Sequence, residues 1–510
     1  MDADSRDRLL RFAWELPPFE HDVGLLSEIA QRIGPAHCSP SSSPTNLPYT
    51  LRNLAGAARN VSRARGGGAT TLPGEVVLQC APHALRHLAR QLPQRCVLVS
   101  GTNGKTTTAS MIAAILRAAG HAVTHNRAGA NMPSGVATAL LEQPGEIGVF
   151  EVDEAWLPIV AAELSPSVIV LGNLFRDRLD GYGELDALAG SWEAMLAGRL
   201  QAHLVLNADD AALVSLGSID AGSDRLPISF FGVEDRSLSL PQAEHAADSI
   251  RCRACDEPLR FDARMLSHLG HHRCDSCGAR RPNPTVRADG VLFDGISGSS
   301  FSIESGTERH DLQLRLPGLY NVYNALAATA AALALGVEPA SISPTLAAFA
   351  PVFGRGERIR AGTTDLAVLL MKNPAGANEL LRTLSRDASP SLDLLIALND
   401  GPADGRDVSW IWDADFEALH RRVGRVICSG SRAAELALRL KYAGWPISCI
   451  AVDPEIASAL DRGISEASGR LIVLPTYSAL LELYTELAVR GLARPFWAQA
   501  PPLPGSDGPA

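Results

Sequence analysis

The 510-residue sequence predicts an α/β protein with two successive domains of mainly parallel sheet. Short apolar segments alternate with helical stretches of about ten or more residues, which is typical of right-handed βαβ units. This alternation occurs from about 96 to 206 and again after 358, and two cysteine pairs interrupt it between about 245 and 285. The length fits roughly three average domains, so we expect the interrupting segment to be a small insertion.

Composition and charge exclude several classes of protein. The sequence has 46 basic and 56 acidic residues, a net charge of -10, with 46% hydrophobic and 20% charged residues. It is too apolar for a largely disordered chain. Its net negative charge also argues against a protein that binds nucleic acid or anionic lipid through its overall charge. No apolar run approaches the roughly 18 residues of a membrane span, and residues 1–12 lack the apolar core of a secretory signal. We therefore expect a cytoplasmic protein without a transmembrane segment.

The predicted elements follow the chain in two series. A basic helix over 51–65 ends at three glycines, and the first series begins after it. Its strands are predicted at 96–100, 121–125, 147–152, 167–171 and 203–206, with a helix over 107–119 and a buried helix around 326–335. The second series has strands at 366–371, 392–398, 425–428, 447–452 and 471–474 and a helix over 431–442.

These series predict the domain organisation. We expect a flexible N-terminal extension at 1–48 and a first α/β domain at 49–352 with an insertion at about 248–284. A second α/β domain is expected at 353–498, followed by a disordered tail rich in proline and glycine at 499–510.

A phosphate-binding loop is predicted between the first strand of the first series and its helix. Two glycines allow a tight turn whose N–H groups face phosphate oxygens, Lys105 reaches the terminal phosphates and the Thr106 hydroxyl holds Mg²⁺. Val99 stands where the standard spacing has its first glycine, so the loop is a shorter variant. The alternative is a turn with an incidental lysine, but strand, loop and helix follow in the order that ATP binding requires. The loop consists of Gly101, Thr102, Asn103, Gly104, Lys105, Thr106, Thr107 and Thr108.

Two C-x-x-C turns in the insertion have the spacing of a metal-binding ribbon. They are separated by 18 residues and together supply four thiolates to one Zn²⁺. Four protein ligands leave no open position, so the zinc is predicted to be structural, with redox pairs or free surface thiols as the alternatives. The predicted ligands are Cys252, Cys255, Cys274 and Cys277. Three nearby histidines could replace a ligand, although we expect them to be solvated: His268, His271 and His272.

Several further segments match one family of ATP-dependent ligases. They are Glu151 in V-F-E-V-D-E, Asn173 before D-R-L-D-G at 177–181, L-N-A-D-D at 206–210, Asn324 in Y-N-V-Y-N-A and Arg355 in F-G-R-G-E-R. In this order they resemble the Mur ligases and folylpolyglutamate synthetases, which activate a carboxylate as an acyl phosphate for attack by an amine. The resemblance implies that Glu151 and Thr106 bind Mg²⁺, that Asn324 approaches the nucleotide and that Arg355 contacts phosphate.

Three departures separate this chain from family members that add an amino acid. Arg178 stands in place of the family's histidine, and Gly190 lies where many members carry a lysine that supports a second metal. The third-domain H-N-P motif is Lys372-Asn373-Pro374. The residues of the family's ATP-binding motifs are therefore present, whereas those that support a second metal and bind the amino acid differ. An amino-acid-adding Mur or folylpolyglutamate ligase is the alternative and not the first expectation.

The C-terminal segments resemble one branch of this family, the MurT subfamily, whose members also carry four cysteines in the central domain. They read K-N-P-A-G-A-N at 372–378, N-D at 399–400, A-D-G-R-D at 403–407, S-W-I at 409–411 and W-D-A-D-F-E at 412–417. The resemblance implies a Mur-ligase-like central P-loop ATPase domain with an inserted four-cysteine zinc ribbon, followed by a Rossmann-like α/β C-terminal domain. It also implies ATP-dependent amidation of the D-glutamate α-carboxylate in the lipid II stem peptide, at the inner face of the membrane. Ammonia would come from the glutaminase GatD, in a heterodimer or larger complex.

An acidic loop in the second series is predicted to serve that partner. Asp404 and Asp407 follow the strand ending at Leu398, on the edge where open α/β sheets bind ligands. The resemblance implies that Asp407 completes a Cys-His-Asp triad whose other members lie in GatD, with Asp404 or a purely structural role as alternatives. No cysteine of this chain lies on a nucleophile elbow, and Cys428 is interpreted as a buried thiol, so ammonia is expected from outside.

A different class of function is a nucleotide-binding scaffold whose zinc ribbon recruits partners or nucleic acid. The ribbon carries several arginines, but Phe261 alone of the aromatic residues stands among them and the chain as a whole is acidic. We therefore expect no nucleic-acid partner.

Overall fold

The computed structural model describes two α/β sheets and one small hairpin. The described residues are 47–494 except for 65–68, 82, 93–94, 127–128, 143–144, 177–183, 199, 219–225, 245–246, 351–353 and 402. The predictions for the N-terminal extension up to residue 46, for the D-R-L-D-G segment and for the tail lie outside the described residues.

The first α/β unit extends from the first described helix to the end of a long alanine-rich region. Its helices are α1 (Leu47–Ala64), α2 (Leu72–Cys80), α3 (Ala84–Ala89), α4 (Lys105–Ala118), α5 (Pro133–Glu142), α6 (Leu157–Leu164), α7 (Glu184–Leu196), α8 (Ala211–Leu216), α9 (Leu319–Ala334) and α10 (Pro339–Ala347). Its strands are β1 (Arg95–Ser100), β2 (Val123–His125), β3 (Ile147–Glu151), β4 (Val168–Leu171), β5 (His203–Asn207), β6 (Ile228–Val233), β7 (Arg260–Leu266), β8 (Leu269–Arg273), β9 (Val286–Asp294), β10 (Gly298–Ser305) and β11 (Glu308–Leu314).

Nine of these strands form one sheet in the order β11-β10-β9-β6-β5-β4-β1-β3-β2. The strands from β2 to β9 in this row pair in parallel, and β10 pairs antiparallel with both β9 and β11. The predicted mainly parallel α/β sheet is confirmed. The antiparallel edge was not predicted, because its strands follow one another through tight turns and lack the intervening helices that indicated the others.

Helices cover both faces of the first sheet. Val97, Leu98 and Val99 of β1 are at most 2% exposed, which explains why the strand is a continuous apolar run. α4 and α9 pack on one face around residues such as Met111 and Leu326, and the other face is covered by helices that include α5, α6 and α7. The predicted burial of the alanine-rich helix is confirmed.

The second α/β unit has six strands in the order β12-β13-β17-β14-β15-β16. All pairs are parallel except β12 with β13, which form an antiparallel hairpin. Its elements are β12 (Arg355–Ala361), β13 (Thr364–Leu369), α11 (Pro374–Ser385), β14 (Leu392–Ala397), β15 (Val423–Ser429), α12 (Ala433–Tyr442), β16 (Ile450–Val452), α13 (Ile456–Glu466), β17 (Arg470–Pro475) and α14 (Tyr477–Val489).

The prediction of a strand at 447–452 is wrong for the first half of that segment. Residues Ile447–Cys449 form a single 3₁₀ turn, and only Ile450–Val452 pair with β15. Pro446 precedes the turn and has no N–H for a sheet ladder, and the Ile447 side chain is 68% exposed. The apolar character of this segment therefore does not reflect burial in the sheet.

None of the helices in the described part of the chain combines the length and the apolar character that crossing a bilayer requires.

Candidate nucleotide site and cysteine cluster

The predicted phosphate loop lies between the centre of the first sheet and the start of α4. Gly101 and Gly104 have φ angles of 136° and 86°, a region that residues with a Cβ rarely adopt. A Cβ on Gly104 would lie 2.1 Å from Asn324 Oδ1, so glycine also leaves room for α9. The structure thus places Asn324 beside the loop, where its amide oxygen accepts from the Thr108 hydroxyl at 3.2 Å.

Two side chains at the start of α4 pair with two carboxylates, one at the end of β3 and one three residues after it. Lys105 Nζ lies 3.0 Å from Glu154 Oε2, and Thr106 Oγ1 donates to Glu151 Oε2 at 2.7 Å. All four residues are at most 8% exposed. A buried charge is tolerated when it is paired, so the loop and the carboxylates stabilise each other.

Sequence reasoning singled out Glu151 but missed Glu154. The signal was the last of the three carboxylates in the run E-V-D-E at 151–154, since the carboxyl ends of parallel strands meet at the edge where the loop lies. A hydroxyl and a carboxylate in contact are the oxygen donors that Mg²⁺ prefers, so Thr106 and Glu151 fit the predicted metal. The roles of these residues stay predictions.

The loop is held along one side by residues 172–176, which follow β4 and are called the clamp segment. Thr102 N donates to Asn173 O at 3.1 Å, and the Thr102 hydroxyl contacts both Phe175 N and Phe175 O at 3.0 Å. The Asn173 amide accepts from Asn103 N at 2.8 Å and donates to Asn103 O at 2.9 Å. The clamp segment therefore satisfies the polar groups of a buried turn and sets the direction in which the loop faces.

The second α/β unit reaches the phosphate loop through the K-N-P motif. Asn373 and Asn103 exchange hydrogen bonds between their side-chain amides at 3.0 and 3.2 Å. Asn373 Oδ1 also caps α11 by accepting from Gly376 N at 2.9 Å. Arg355 begins β12 near Tyr320 of α9, and its guanidinium opposes the rise in the Tyr320 pKa that burial causes. The predicted contact of Arg355 with phosphate stays a prediction.

The four predicted metal-binding thiols come together in the insertion. Their Sγ atoms all lie within 4.8 Å of one another. The two turns have the same backbone pattern, because Asp256 N and Gly278 N donate to the carbonyls of Cys252 and Cys274 at 2.7 and 3.1 Å. Asp256 and Gly278 have φ angles of 58° and 79°. Backbone N–H groups, first that of Cys277, lower the pKa of Cys274 to about 7. Such a set fits a tetrahedral S₄ site.

Replacing Cys274 with serine should release the metal and destabilise the insertion. The side chain is only 2% exposed at the base of the cluster, and a serine hydroxyl is a poor substitute for a thiolate ligand of zinc. We expect zinc content to fall to near zero and the unfolding temperature to drop by about 5 °C or more. Metal analysis and thermal unfolding measure both quantities. Cys449→Ser changes a thiol outside the cluster and is the matched control, and unchanged zinc in Cys274→Ser would contradict the assignment.

The three histidines near the cluster are buried, so the expectation that they are solvated is wrong. They are at most 6% exposed, because the β7–β8 hairpin folds back onto the first sheet. His271 Nε2 contacts Val233 O at 2.8 Å, and burial lowers the pKa of His272. Among the described residues, the candidate metal cluster consists of the cysteines alone.

The acidic loop after β14 contains one buried and one exposed carboxylate. Asp404 is 9% exposed and accepts from Ser478 N at 3.1 Å, and burial raises its pKa. Asp407 is exposed and accepts from Ser409 N at 2.8 Å, and the hydrogen bonds from Ser409 lower its pKa. Asp404 therefore anchors the loop to α14, whereas Asp407 faces outward. Cys428 is buried as predicted, and burial raises its pKa to about 12.

Comparisons with known proteins agree with the fold. Residues 99–253 match the family model of the Mur ligase middle domain, and residues 370–480 match that of the MurT ligase C-terminal domain. A pseudomurein peptide ligase type C from Methanothermus fervidus has a TM-score of 0.59 at 23% identity, covering 79% of this chain and 80% of that one. MurF from Acinetobacter baumannii has a TM-score of 0.58 at 18% identity, covering 82% and 80%. The fold and the site thus define a ligase of the Mur type.

Two sequence relatives specify the family further. The MurT subunit of lipid II isoglutaminyl synthase (glutamine-hydrolysing) from Streptococcus pneumoniae is 32% identical over 455 residues, which is 88% of this chain and 99% of that protein. The MurT subunit of the same enzyme from Staphylococcus aureus is 33% identical over 443 residues, which is 86% of this chain and 97% of that protein. This chain belongs to the MurT family. The predicted family and ligase class are confirmed.

Proposed function

We propose that this chain is the ligase subunit of a lipid II isoglutaminyl synthase, which uses ATP to amidate the D-glutamate α-carboxylate of the lipid II stem peptide. The observation that carries the proposal is the phosphate loop of a MurT-family chain, with Lys105 and Thr106 held against Glu154 and Glu151. A lysine and a hydroxyl at the start of a helix are the groups that terminal phosphates and their metal require.

Each loop residue has a role in nucleotide binding under this proposal. Thr106 and Glu151 would hold Mg²⁺, which when bound neutralises phosphate charge. The Lys105 ammonium would leave its ion pair with Glu154 and pair with the terminal phosphate. Asn324 lies where it can approach the nucleotide from α9. Arg355 would bring a second positive charge from the second α/β unit. Such preorganised charges typically provide most of the barrier reduction in phosphoryl transfer.

The proposed reaction has two steps. A carboxylate oxygen of the substrate attacks the γ-phosphorus of ATP, and the bond from that phosphorus to ADP breaks to leave an acyl phosphate. Ammonia then attacks the acyl carbon and loses a proton, and the carbon–oxygen bond to phosphate breaks. The products are the amide, ADP and inorganic phosphate. The protein contributes orientation and electrostatic stabilisation to both steps.

We infer that the ammonia comes from a GatD-type glutaminase that docks beside Asp407. The exposed Asp407 carboxylate is suited to orient the histidine that deprotonates a partner's cysteine. The following 3₁₀ segment presents Trp412, 48% exposed, with its ring 5.9 Å from that of Tyr442. This exposure supplies an aromatic surface of the kind enriched at protein interfaces.

Turnover of the chain co-expressed with a candidate glutaminase tests the proposal. We expect ADP release on lipid II with either glutamine or ammonia as the nitrogen source, and no release when free amino acids replace them. The chain without its partner should respond to ammonia but not to glutamine. Turnover with amino acids in place of ammonia would instead support the amino-acid-adding alternative.

A further inference from the structure

The β7–β8 hairpin of the cysteine insertion reaches the clamp segment of the phosphate loop. His268, in the turn of this hairpin, has no exposed surface. Its ring lies 4.7 Å from that of Phe175, measured between centroids. Phe175 is the clamp residue whose backbone contacts the Thr102 hydroxyl. A single side chain therefore separates the insertion's hairpin from the loop proposed to bind ATP.

Two polar groups orient the His268 imidazole. Asp248 N donates to Nδ1 at 3.4 Å, which leaves the proton of a neutral ring on Nε2. Nε2 is buried without a hydrogen bond and faces Asp210 Oδ2 at 3.6 Å, slightly beyond hydrogen-bond distance. The same Asp210 oxygen accepts from Leu174 N of the clamp segment at 2.9 Å. The imidazole thus stands against the ring of Phe175 and against the carboxylate that holds Leu174.

Asp248 connects the insertion to the end of the clamp segment. Its carboxylate accepts from Arg176 N at 2.9 Å and pairs with the Arg176 guanidinium. The Asp248 side chain is 7% exposed and that of Arg176 is 32% exposed, so the carboxylate is buried while the guanidinium still reaches solvent. Residues 174–176 are therefore held by groups that belong to the insertion or contact its hairpin.

The cysteine cluster lies at the base of the same hairpin. Cys274 directly follows β8, and Cys252 shares a small apolar cluster with Leu259 just before β7. At the other end, Met265 and Leu269 pack into the main core of the first sheet. A metal that joins the two cysteine turns therefore holds together the two strands whose tip carries His268.

We propose that His268 is a positioning residue of the phosphate loop, and that through it the metal-loaded cysteine insertion sets the loop's affinity for ATP. The inference rests on the proposed nucleotide site. With the hairpin held, the clamp segment accepts hydrogen bonds from the N–H groups of Thr102 and Asn103 and so holds the turn of the loop in the shape that phosphate binding requires. With the hairpin loosened, ATP must order the loop as it binds, which lowers its affinity.

Equilibrium binding of ATP with Mg²⁺ to the full chain, without acceptor, is the decisive measurement. His268→Ala should weaken ATP binding about tenfold and raise the KM for ATP by a similar factor, with kcat nearly unchanged. His268→Gln should retain affinity within about twofold, because an amide can replace both polar contacts. Zinc content should stay unchanged in both variants. Arg260→Ala, on the same hairpin but exposed, is the matched control.

Metal removal tests whether the metal-loaded cysteine insertion sets the loop's affinity for ATP. Chelation of zinc should weaken ATP binding by the native chain, and should add little further loss in His268→Ala, because both changes act through one contact. If His268→Ala does not fold, Asp248→Ala removes the nearer of two carboxylates that pair with Arg176 and should weaken ATP binding to a similar extent.

The outcomes separate this inference from the proposed function. ATP affinity in folded His268→Ala within about twofold of the native value would overturn the positioning role, as would a glutamine variant as weak as the alanine variant. Fully additive effects of chelation and His268→Ala would overturn the link to the metal. A native chain that binds no ATP would overturn the proposed function itself, and this inference with it.

Discussion

Lys105→Ala should abolish ADP formation, whether ammonia or glutamine supplies the nitrogen. The Lys105 side chain is 7% exposed at the start of α4, and its ammonium faces the site proposed for the terminal phosphates. Because charge on the phosphoryl oxygens develops in a buried site, losing this cation should lower the rate by about 10³-fold or more. ADP release under saturating lipid II and ammonia measures the effect. Lys441→Ala, which removes an exposed lysine on α12, is the matched control.

The stability of the Lys105 variant must be separated from its chemistry. Removing the lysine leaves Glu154 as a buried carboxylate without its 3.0 Å partner, and such an unpaired charge destabilises a protein by several kcal/mol, roughly 3–5. The double variant Lys105→Ala/Glu154→Gln removes both charges and should unfold closer to the native temperature. It should still form no ADP. A folded double variant that turns over at the native rate would contradict the assigned role of Lys105.

Asp407→Asn should separate the two nitrogen sources. Glutamine-driven turnover of the complex should fall by roughly 10³-fold or more, since a carboxylate that orients a catalytic histidine contributes on that scale. Ammonia-driven turnover should persist, because Asp407 is exposed on the loop after β14 and the phosphate-loop contacts do not involve it. Hydrogen bonds from Ser409 lower the Asp407 pKa, so the carboxylate is ionised at neutral pH and the asparagine replaces a charged group.

Asp404→Asn is the informative companion variant. Asp404 is buried and accepts from Ser478, so its loss should disturb the loop and lower the unfolding temperature. An equal fall of both activities in Asp407→Asn would show that Asp407 supports the ligase itself and not the partner's triad. A loss confined to glutamine-driven turnover in Asp404→Asn, with Asp407→Asn active, would transfer the triad role to Asp404.

The parallel strands and the phosphate loop could be predicted because their patterns are local. A strand buried on both faces needs an unbroken apolar run, as in Val97 to Val99, and a loop that faces phosphate needs glycines where φ is positive. Two C-x-x-C turns likewise predict that four thiols meet, because each turn brings its own pair together. In all three cases neighbouring residues carry the whole signal.

Contacts between distant segments could not be predicted in this way. Glu154 meets Lys105 across 49 residues, and Asn373 meets Asn103 across 270. Nothing in the local pattern around either partner identifies the other. The antiparallel edge of the first sheet and the burial of the histidines are of the same kind, since both depend on what packs against them.

The sequence by itself determined the class of fold, the phosphate loop, the set of cysteines and the MurT family. Each of these follows from residue types at fixed spacings, because hydrophobic periodicity, turn geometry and metal ligation act over a few residues. Only the tertiary structure decided which carboxylate holds Lys105, which aspartate of the acidic loop faces outward and that the cysteine hairpin contacts the clamp segment. Burial and long-range contacts arise when the sheets and the insertion pack together, and no short segment encodes that packing.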